Sequence, residues 1–430
     1  MKILISTWGN PKGWDEVIYC YKGKEKKLKD TSQLIKEKEG IEKTIIVSID
    51  TLSDECILFL SKISYQDIKN LSQSFIQNFC KRESGYNPDK VIISYGVGEF
   101  NNSKFIGNSM DFYYSVFKEL AFTFIEWLED SSAQHIDVYL DISHGINFLP
   151  VLTYRALKEI LQILAYCFDI KFTVLNSDTY IRSIKSEFLN INVIEESKIL
   201  PKVIPYKIDK RPIEPYFGLD NEEKKKIGKN LQSFDKNILI FLSAFMYALP
   251  VFTIKYLPNK NELKKEIEEI VKKFGEGISI TNSSNSSKKT EIKRNIEFTL
   301  TFENLVKAYL ISWLLNKKGI CQKDEIELEE IEKIKEIWSK NFPIESNRID
   351  VEIIAIKNLS CSVPKNWKTY SEIIGKREEN NIDKRNFFAH AGFEHNIIEI
   401  KEENQKIKLR INSKLENIVK NYLEDNLPGG

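Results

Sequence analysis

An α/β half followed by an all-α half with one small β-hairpin is the fold class this sequence predicts, and three observations predict it. Over roughly the first 200 residues, short β-branched runs alternate with longer amphipathic stretches, as in a parallel sheet flanked by helices. From about Asn221 onward the apolar residues recur at helical spacing instead. Between the two, Asn190 to Asp220 carries prolines at 201, 205, 212 and 215 and no helical period. A chain of 430 residues is too long for one ordinary core. The expected division is an α/β domain over 1–190, a connector over 191–220 and a helical domain over 221–430.

Taken in order, the expected strands are Lys2 to Ser6, Thr44 to Ile49, Val91 to Ser94, Asp137 to Asp141 and Lys171 to Leu175. Helices are expected near Asp67 to Phe79, Ser109 to Leu128 and Leu149 to Phe168. Each of the first four strands runs into a polar loop. These are Thr7-Trp8-Gly9-Asn10-Pro11, Asp50-Thr51, Tyr95-Gly96-Val97-Gly98-Glu99 and Asp141-Ile142-Ser143-His144-Gly145-Ile146-Asn147. In an open α/β sheet such loops share the carboxyl edge, where ligands bind beside the topological switch point. Glycines in three of them let backbone N–H groups approach a phosphate, and the helix opening near Asn147 adds the positive end of its dipole. Singly each loop is weak evidence. Gly96-x-Gly98 lacks the third glycine of a dinucleotide fingerprint, and Asp141 with His144 finds no third metal ligand at suitable spacing, which favours a hydrogen-bonded loop pair. Together they point to a nucleotide-like site. The connector holds Ile, Val, Tyr and Phe with a single glycine, so it should be packed and stiff.

In the second half, Asp235 is placed to cap an apolar helix running to Leu249, and Leu263, Ile267, Ile270, Val271 and Phe274 form the next stripe. The polar tract from Thr281 to Lys288 reads as a surface loop, with an RNA-contacting loop as the alternative. Phe302, Leu305, Val306, Tyr309, Leu310 and Trp313 make a wide apolar stripe, either core or dimer face. Alternating charges from Asp324 to Lys340 suggest a solvated helix. Ile398 to Lys401 and Lys406 to Ile411 flank Glu402-Glu403-Asn404 as a hairpin, and a last helix follows from about Ser413 to Leu423.

Composition narrows the function. Lys plus Arg (63) and Asp plus Glu (62) nearly cancel, so there is no global basic field and any nucleic-acid contact must be local. Six cysteines, at 20, 56, 80, 167, 321 and 361, include no Cys-x-x-Cys pair, which fits reduced structural thiols and argues against zinc. The opening Met1-Lys2-Ile3-Leu4-Ile5 reads as a strand, not a signal peptide, and the longest apolar segment, Ile238 to Leu249, is too short to span a membrane. A soluble, cytoplasmic protein is expected.

The sharpest chemistry lies at Asp383-Lys384-Arg385-Asn386-Phe387-Phe388-Ala389-His390. It joins a permanent cation, an amide and a group that titrates near neutrality. RNA cleavage needs that set: a proton must leave the ribose 2′-hydroxyl, one must reach the departing 5′-oxygen, and the phosphorane between them carries extra negative charge. The bare spacing equally describes a solvated helix face. Asn380, Asn381 and Asp383 stand ahead of it as possible caps, Phe387 and Phe388 would anchor it, and His395 is read as lying outside the motif.

Arg385-Asn386-x-x-x-His390 resembles the signature of the HEPN ribonucleases. Ser6-Thr7-Trp8-Gly9-Asn10-Pro11 with Trp14, and the loop Asp141 to Asn147, resemble the ligand-sensing CARF domain of the CRISPR-associated ribonucleases of the Csx type. That family joins a Rossmann-like CARF sheet to a helical HEPN domain in this order. The resemblance implies a homodimer, or an assembly of dimers, with a composite nuclease site. It further implies a single-stranded RNA substrate, no metal or other cofactor, 2′,3′-cyclic phosphate ends and activation by a cyclic oligoadenylate, tetra-adenylate being favoured. Arg385, Asn386 and His390 would be catalytic. Trp8, Gly9, Asn10, Ser94, Gly96, Gly98, His144, Gly145, Ile146 and Asn147 would hold the activator. Two alternatives stay open: a nucleotide-responsive regulator without catalysis, and a sensor that also degrades its cyclic ligand.

Overall fold

The computed structural model describes residues 1–57, 64–183, 186–207, 211–229, 231, 235–281, 289–359, 363–377 and 382–428. Most of the polar tract (282–288), the proposed caps Asn380 and Asn381, and Cys361 lie outside them.

Ten strands belong to the first half: β1 Lys2–Trp8, β2 Val17–Tyr21, β3 Lys24–Leu28, β4 Lys43–Ile49, β5 Lys90–Ser94, β6 Gly98–Glu99, β7 Ser103–Ile106, β8 His135–His144, β9 Asp169–Ser177 and β10 Phe188–Lys198. Its helices are α1 Ser32–Glu39, α2 Asp54–Ile57, α3 Tyr65–Phe79, α4 Met110–Leu128 and α5 Leu149–Leu164. Eight strands form one sheet in the order β3-β2-β10-β9-β8-β1-β4-β5. The five strands expected from the sequence pair in parallel. They are apolar runs buried on both faces, as helices on either side of a parallel sheet require. The whole sheet is mixed, however, because β10 pairs antiparallel with β9 and β2 with β3. β3 and β10 carry exposed lysines and glutamates, so they lack the apolar run that marks a central strand. Within the parallel part, β4 and β5 lie on one side of β1, and β8 and β9, later in the chain, lie on the other. The switch point therefore lies between the carboxyl ends of β1 and β8.

The second half contains α6 Asn221–Gly228, α7 Asn237–Met246, α8 Pro250–Lys255, α9 Lys260–Glu276, α10 Leu300–Lys317, α11 Leu328–Ser339, α12 Pro343–Lys357, α13 Tyr370–Ile373, α14 Lys384–Ala389 and α15 Glu416–Asp425. The apolar helix ahead of Pro250 breaks at Ala248, whose φ is 53°, and proline then opens α8. The hairpin β17 Ile398–Glu403 and β18 Lys406–Ile411 turns through Asn404 and Gln405, both at positive φ, and β15 Ile326–Glu327 and β16 Lys368–Thr369 extend it. The alternating-charge helix, α11, buries Leu328, Ile331, Ile334 and Ile337, so only its other face is solvated.

The two halves interlock. A single apolar cluster runs from Ile3 in β1 to Leu423 in α15, and α10, with the stripe Phe302 to Trp313 wholly buried, packs on α4 and α5. β11 Ile213–Pro215, in the connector, pairs with β14 Ile296–Phe298. β12 Ile278–Thr281 and β13 Thr290–Arg294 join β6 and β7 in one sheet. At the end of β13, Arg294 is fully buried between Asp50 (3.8 Å) and Asp111 (3.7 Å), and its Nη2 donates to the carbonyl of Gly96 (2.9 Å). Burial pushes the Asp111 carboxyl up to about 7, against the pull of Arg294.

Removing one partner from such a cluster leaves buried charge unpaired. Arg294→Met should cost about 3–5 kcal/mol, measured as a fall in the denaturant midpoint. Because the folded carboxyls bind protons that the unfolded chain has released, stability falls as pH rises through the Asp111 range. The variant should steepen that fall, and a midpoint equal to the wild type's at both pH 6 and pH 8 would contradict the assignment.

Candidate functional site

α14 begins at Asp383, whose carboxylate accepts from the backbone N–H groups of Arg385 (2.7 Å) and Asn386 (3.1 Å), the usual N-cap arrangement. Phe387 is buried edge-on against Phe252, and Phe388 packs on Tyr247. The apolar side of the helix therefore faces the core, while Arg385, Asn386 and Ala389 face solvent. After His390 the chain turns through Ala391 (φ 50°) and Gly392 (φ 86°), so the helix cannot continue. A β-carbon at Gly392 would press on Phe252 as well.

His390 stands on the rim of that turn, its side chain 43 % exposed, with Nδ1 2.7 Å from Oε1 of Glu352. Glu352 is buried on α12. One turn earlier on the same helix, Arg348 donates to the carbonyl of Phe388 (2.7 Å) and to that of Tyr247 (3.2 Å). The guanidinium of Arg385 and the amide of Asn386 have no partner among the described residues, which leaves both available to an incoming phosphate. His395 lies nearer than its place in the sequence suggests: its ring centroid is 6.1 Å from that of His390. It packs edge-on against Tyr370, its Nδ1 is buried without a partner, and burial holds its pKa below the ordinary imidazole range.

Sequence reading passed over Glu352 and Arg348. The available signal was a lone carboxylate inside the apolar run Val351-Glu352-Ile353-Ile354-Ala355-Ile356, with an arginine four residues before it.

At the sheet edge the structure divides the candidate ligand residues into two groups. Gly9 N–H donates to the carbonyl of His144 (2.8 Å), which brings Trp8, Gly9 and Asn10 beside His144, Gly145, Ile146 and Asn147 at the switch point. The two loops touch closely enough that a β-carbon at Gly9 would strike Ile146, and one at Gly145 would strike Thr7 and Pro150. Trp8 is buried in an aromatic cluster with Trp14 and Phe79. Asn10, Ile146 and Asn147 are exposed. The His144 ring packs at 4.1 Å on Trp14, and the Tyr19 hydroxyl lies 3.4 Å from its Nε2. Asp141 does not pair with His144. Its carboxylate accepts from Thr31 (2.5 Å) and from both the backbone and the hydroxyl of Ser143 (3.0 and 2.6 Å), holding the loop from below.

Ser94, Gly96 and Gly98 are placed differently. Ser94 is buried and donates to the Phe112 carbonyl (3.2 Å). Gly96 donates to Asp50 (2.7 Å) and accepts from Arg294, so its loop is tied to the helical half. Gly98 is exposed in β6. Tyr19 and Trp14 complete the His144 cluster.

Burial lowers the His144 pKa to about 4, outweighing the nearby Asp141. Its imidazole should stay neutral down to about pH 5, whereas an ordinary histidine protonates near 6.5. Titration of the imidazole 15N shifts would read this directly, and a midpoint above 6 would refute the packing described.

Comparison with known proteins adds three findings. Residues 3–179 match the family model of the CARF domain of the CRISPR system endoribonuclease Csx1, and residues 318–413 match that of its HEPN domain. A curated relative from Methanocaldococcus jannaschii, a CRISPR system endoribonuclease Csx1, is 33% identical over 455 aligned positions, covering 99% of this chain and 92% of the relative.

Proposed function

The chain belongs to the Csx1 family of CRISPR system endoribonucleases, and from that premise we propose that it cuts single-stranded RNA when a cyclic oligoadenylate binds its N-terminal half. One observation carries the reading: an exposed, unpartnered arginine and amide share a helix with an imidazole fixed on the same solvent-facing turn.

In the proposed reaction the ribose 2′-oxygen attacks the adjacent phosphorus, the bond to the 5′-oxygen breaks, and the products end in a 2′,3′-cyclic phosphate and a 5′-hydroxyl. His390 moves a proton between these oxygens through Nε2, since Nδ1 is engaged by Glu352. Arg385 stabilises the charge on the phosphorane, and Asn386 positions the phosphate. These residues supply charge and proton transfer without calling on a metal or another cofactor.

The activator's place in this reading is the crevice beside the β1 and β8 loops. A nucleotide-type ligand suits a CARF domain, and the crevice offers the Trp14, His144 and Tyr19 rings with exposed Asn10 and Asn147. Tetra-adenylate is the favoured ring. Gly96 belongs to the coupling route, because its loop bonds to Arg294 of the helical half. The ligand must bind one arrangement of the halves better than the other to act as a switch.

The proposed assembly is a homodimer, with one His390 and one Arg385 from each copy. α12 supports this: Ile344, Val351 and Ile354, at helical spacing, are 76%, 55% and 58% exposed beside Glu352. No described helix is long and apolar enough to cross a membrane, and the proposed setting is the cytoplasm.

Labelled single-stranded RNA should be cut in EDTA only when cyclic tetra- or hexa-adenylate is added, and His390→Ala should lower the rate at least about 100-fold. RNA left intact while the activator binds would favour the regulator without catalysis. Decay of the activator that survives in His390→Ala would favour a sensor that degrades its ligand. Val351→Glu with Ile354→Glu should convert a dimer to a monomer in light scattering, and a monomeric wild type would exclude the composite site.

A further inference from the structure

We infer that Glu352 is a positioning residue for RNA cleavage, which selects the tautomer of His390 and aims its Nε2 at the reacting ribose; this rests on the proposed role of His390. Three observations carry it. The Glu352 carboxylate is buried, and its one hydrogen bond among the described residues is to His390 Nδ1, at 2.7 Å. A carboxylate can only accept from a neutral imidazole, so in this bond Nδ1 carries the hydrogen and Nε2 is left with its lone pair directed outward. The imidazole is part exposed to solvent, and Arg385 and Asn386, earlier on the same short helix, are exposed as well.

The backbone geometry supports the same conclusion. Arg348, one turn before Glu352 on α12, grips the carbonyls of Phe388 and Tyr247. One helix thus holds both the backbone leading into His390 and the ring itself. Ala391 and Gly392, at positive φ, prevent the ring from riding out on a longer helix. An apolar residue at 352 would leave the fold of α12 intact, since Ile349, Ile353 and Ile356 already bury that side. A buried carboxylate is costly unless it is paired, and among the described residues its partner is the imidazole.

The inference specifies how the proton travels. As the 2′-oxygen forms its bond to phosphorus, its proton passes to Nε2, and the resulting imidazolium is held between Glu352 on Nδ1 and the phosphorane in front. The 5′-oxygen leaves with its electron pair and takes up a proton from an imidazolium, its own or that of a second copy, so charge and protons balance.

Glu352→Gln keeps the shape of the side chain but replaces an acceptor-only carboxylate with an amide whose NH2 can also donate to Nδ1, so hydrogen on Nδ1 is no longer enforced. It should lower kcat about 10- to 100-fold, as losing a partner that orients a working imidazole commonly does, with KM for RNA and the melting temperature unchanged. In 15N spectra, the share of His390 with its hydrogen on Nδ1 should fall and the share with it on Nε2 should rise. Full kcat in Glu352→Gln beside an inactive His390→Ala overturns the inference and leaves the nuclease reading standing. So does a loss of activity matched by a fall in melting temperature with the His390 tautomer unchanged. Cleavage that persists in His390→Ala overturns the premise and the inference with it.

Discussion

The burial of Lys307 constrains this molecule more than any other single contact. α10 is enclosed on every side, yet it carries a glutamate and a lysine one turn apart, Glu303 and Lys307, both almost inaccessible to water. An uncompensated ammonium there would be prohibitive, so the surroundings must supply partners. Glu303 supplies one, Glu159 of α5 a second at 3.0 Å, and the carbonyl of Ile204 in the connector a third at 2.9 Å. Arg155, a turn before Glu159, comes within 4.0 Å of Glu303. Burial raises the Glu303 carboxyl to about 7 despite the lysine beside it. The central helix of the nuclease half, the first helix after the His144 loop and the connector are thus bound by one set of charges.

That constraint explains why the halves form one body. α5 starts right after the loop that meets Gly9 at the switch point, and it ends against α10. A second tie runs from Gly96 through Arg294 and Asp111 to the backbone of Phe298, immediately before α10. Two loops of the sheet's carboxyl edge therefore reach the same helix by different routes, one ionic and lateral, the other through β13 and β14. The turn that carries His390 sits further along, where α12 supplies Glu352 and Arg348 and the core supplies Phe252 and Tyr247.

What could be read from residue order follows what local physics marks. The five parallel strands stand out as apolar runs, which burial on both faces demands of the inner ones such as β1 and β4. β3, Lys24-Glu25-Lys26-Lys27-Leu28, does not, since an edge strand can be nearly all charge. β10 hid in the connector for the same reason, and its proline-marked continuation is packed as a stiff linker would be, with Val203 and Ile213 buried. Asp383 as a cap, the Phe387 anchor and the hairpin turn are local effects and were legible. Glu352 was not, because a carboxylate in an apolar run gains its meaning only from the imidazole that folding brings to it.

By itself, the sequence determined the order of the two halves, the polar loops at the carboxyl edge and the Arg385-Asn386-x-x-x-His390 element, all properties of neighbouring residues and their periodicity. Tertiary structure alone decided that Gly9 meets His144, that Gly96 is held by Arg294, and that His390 is held by Glu352. Those contacts join residues 135, 198 and 38 positions apart. No local propensity encodes such pairings; they exist only because closing one common core brings the partners within hydrogen-bonding reach.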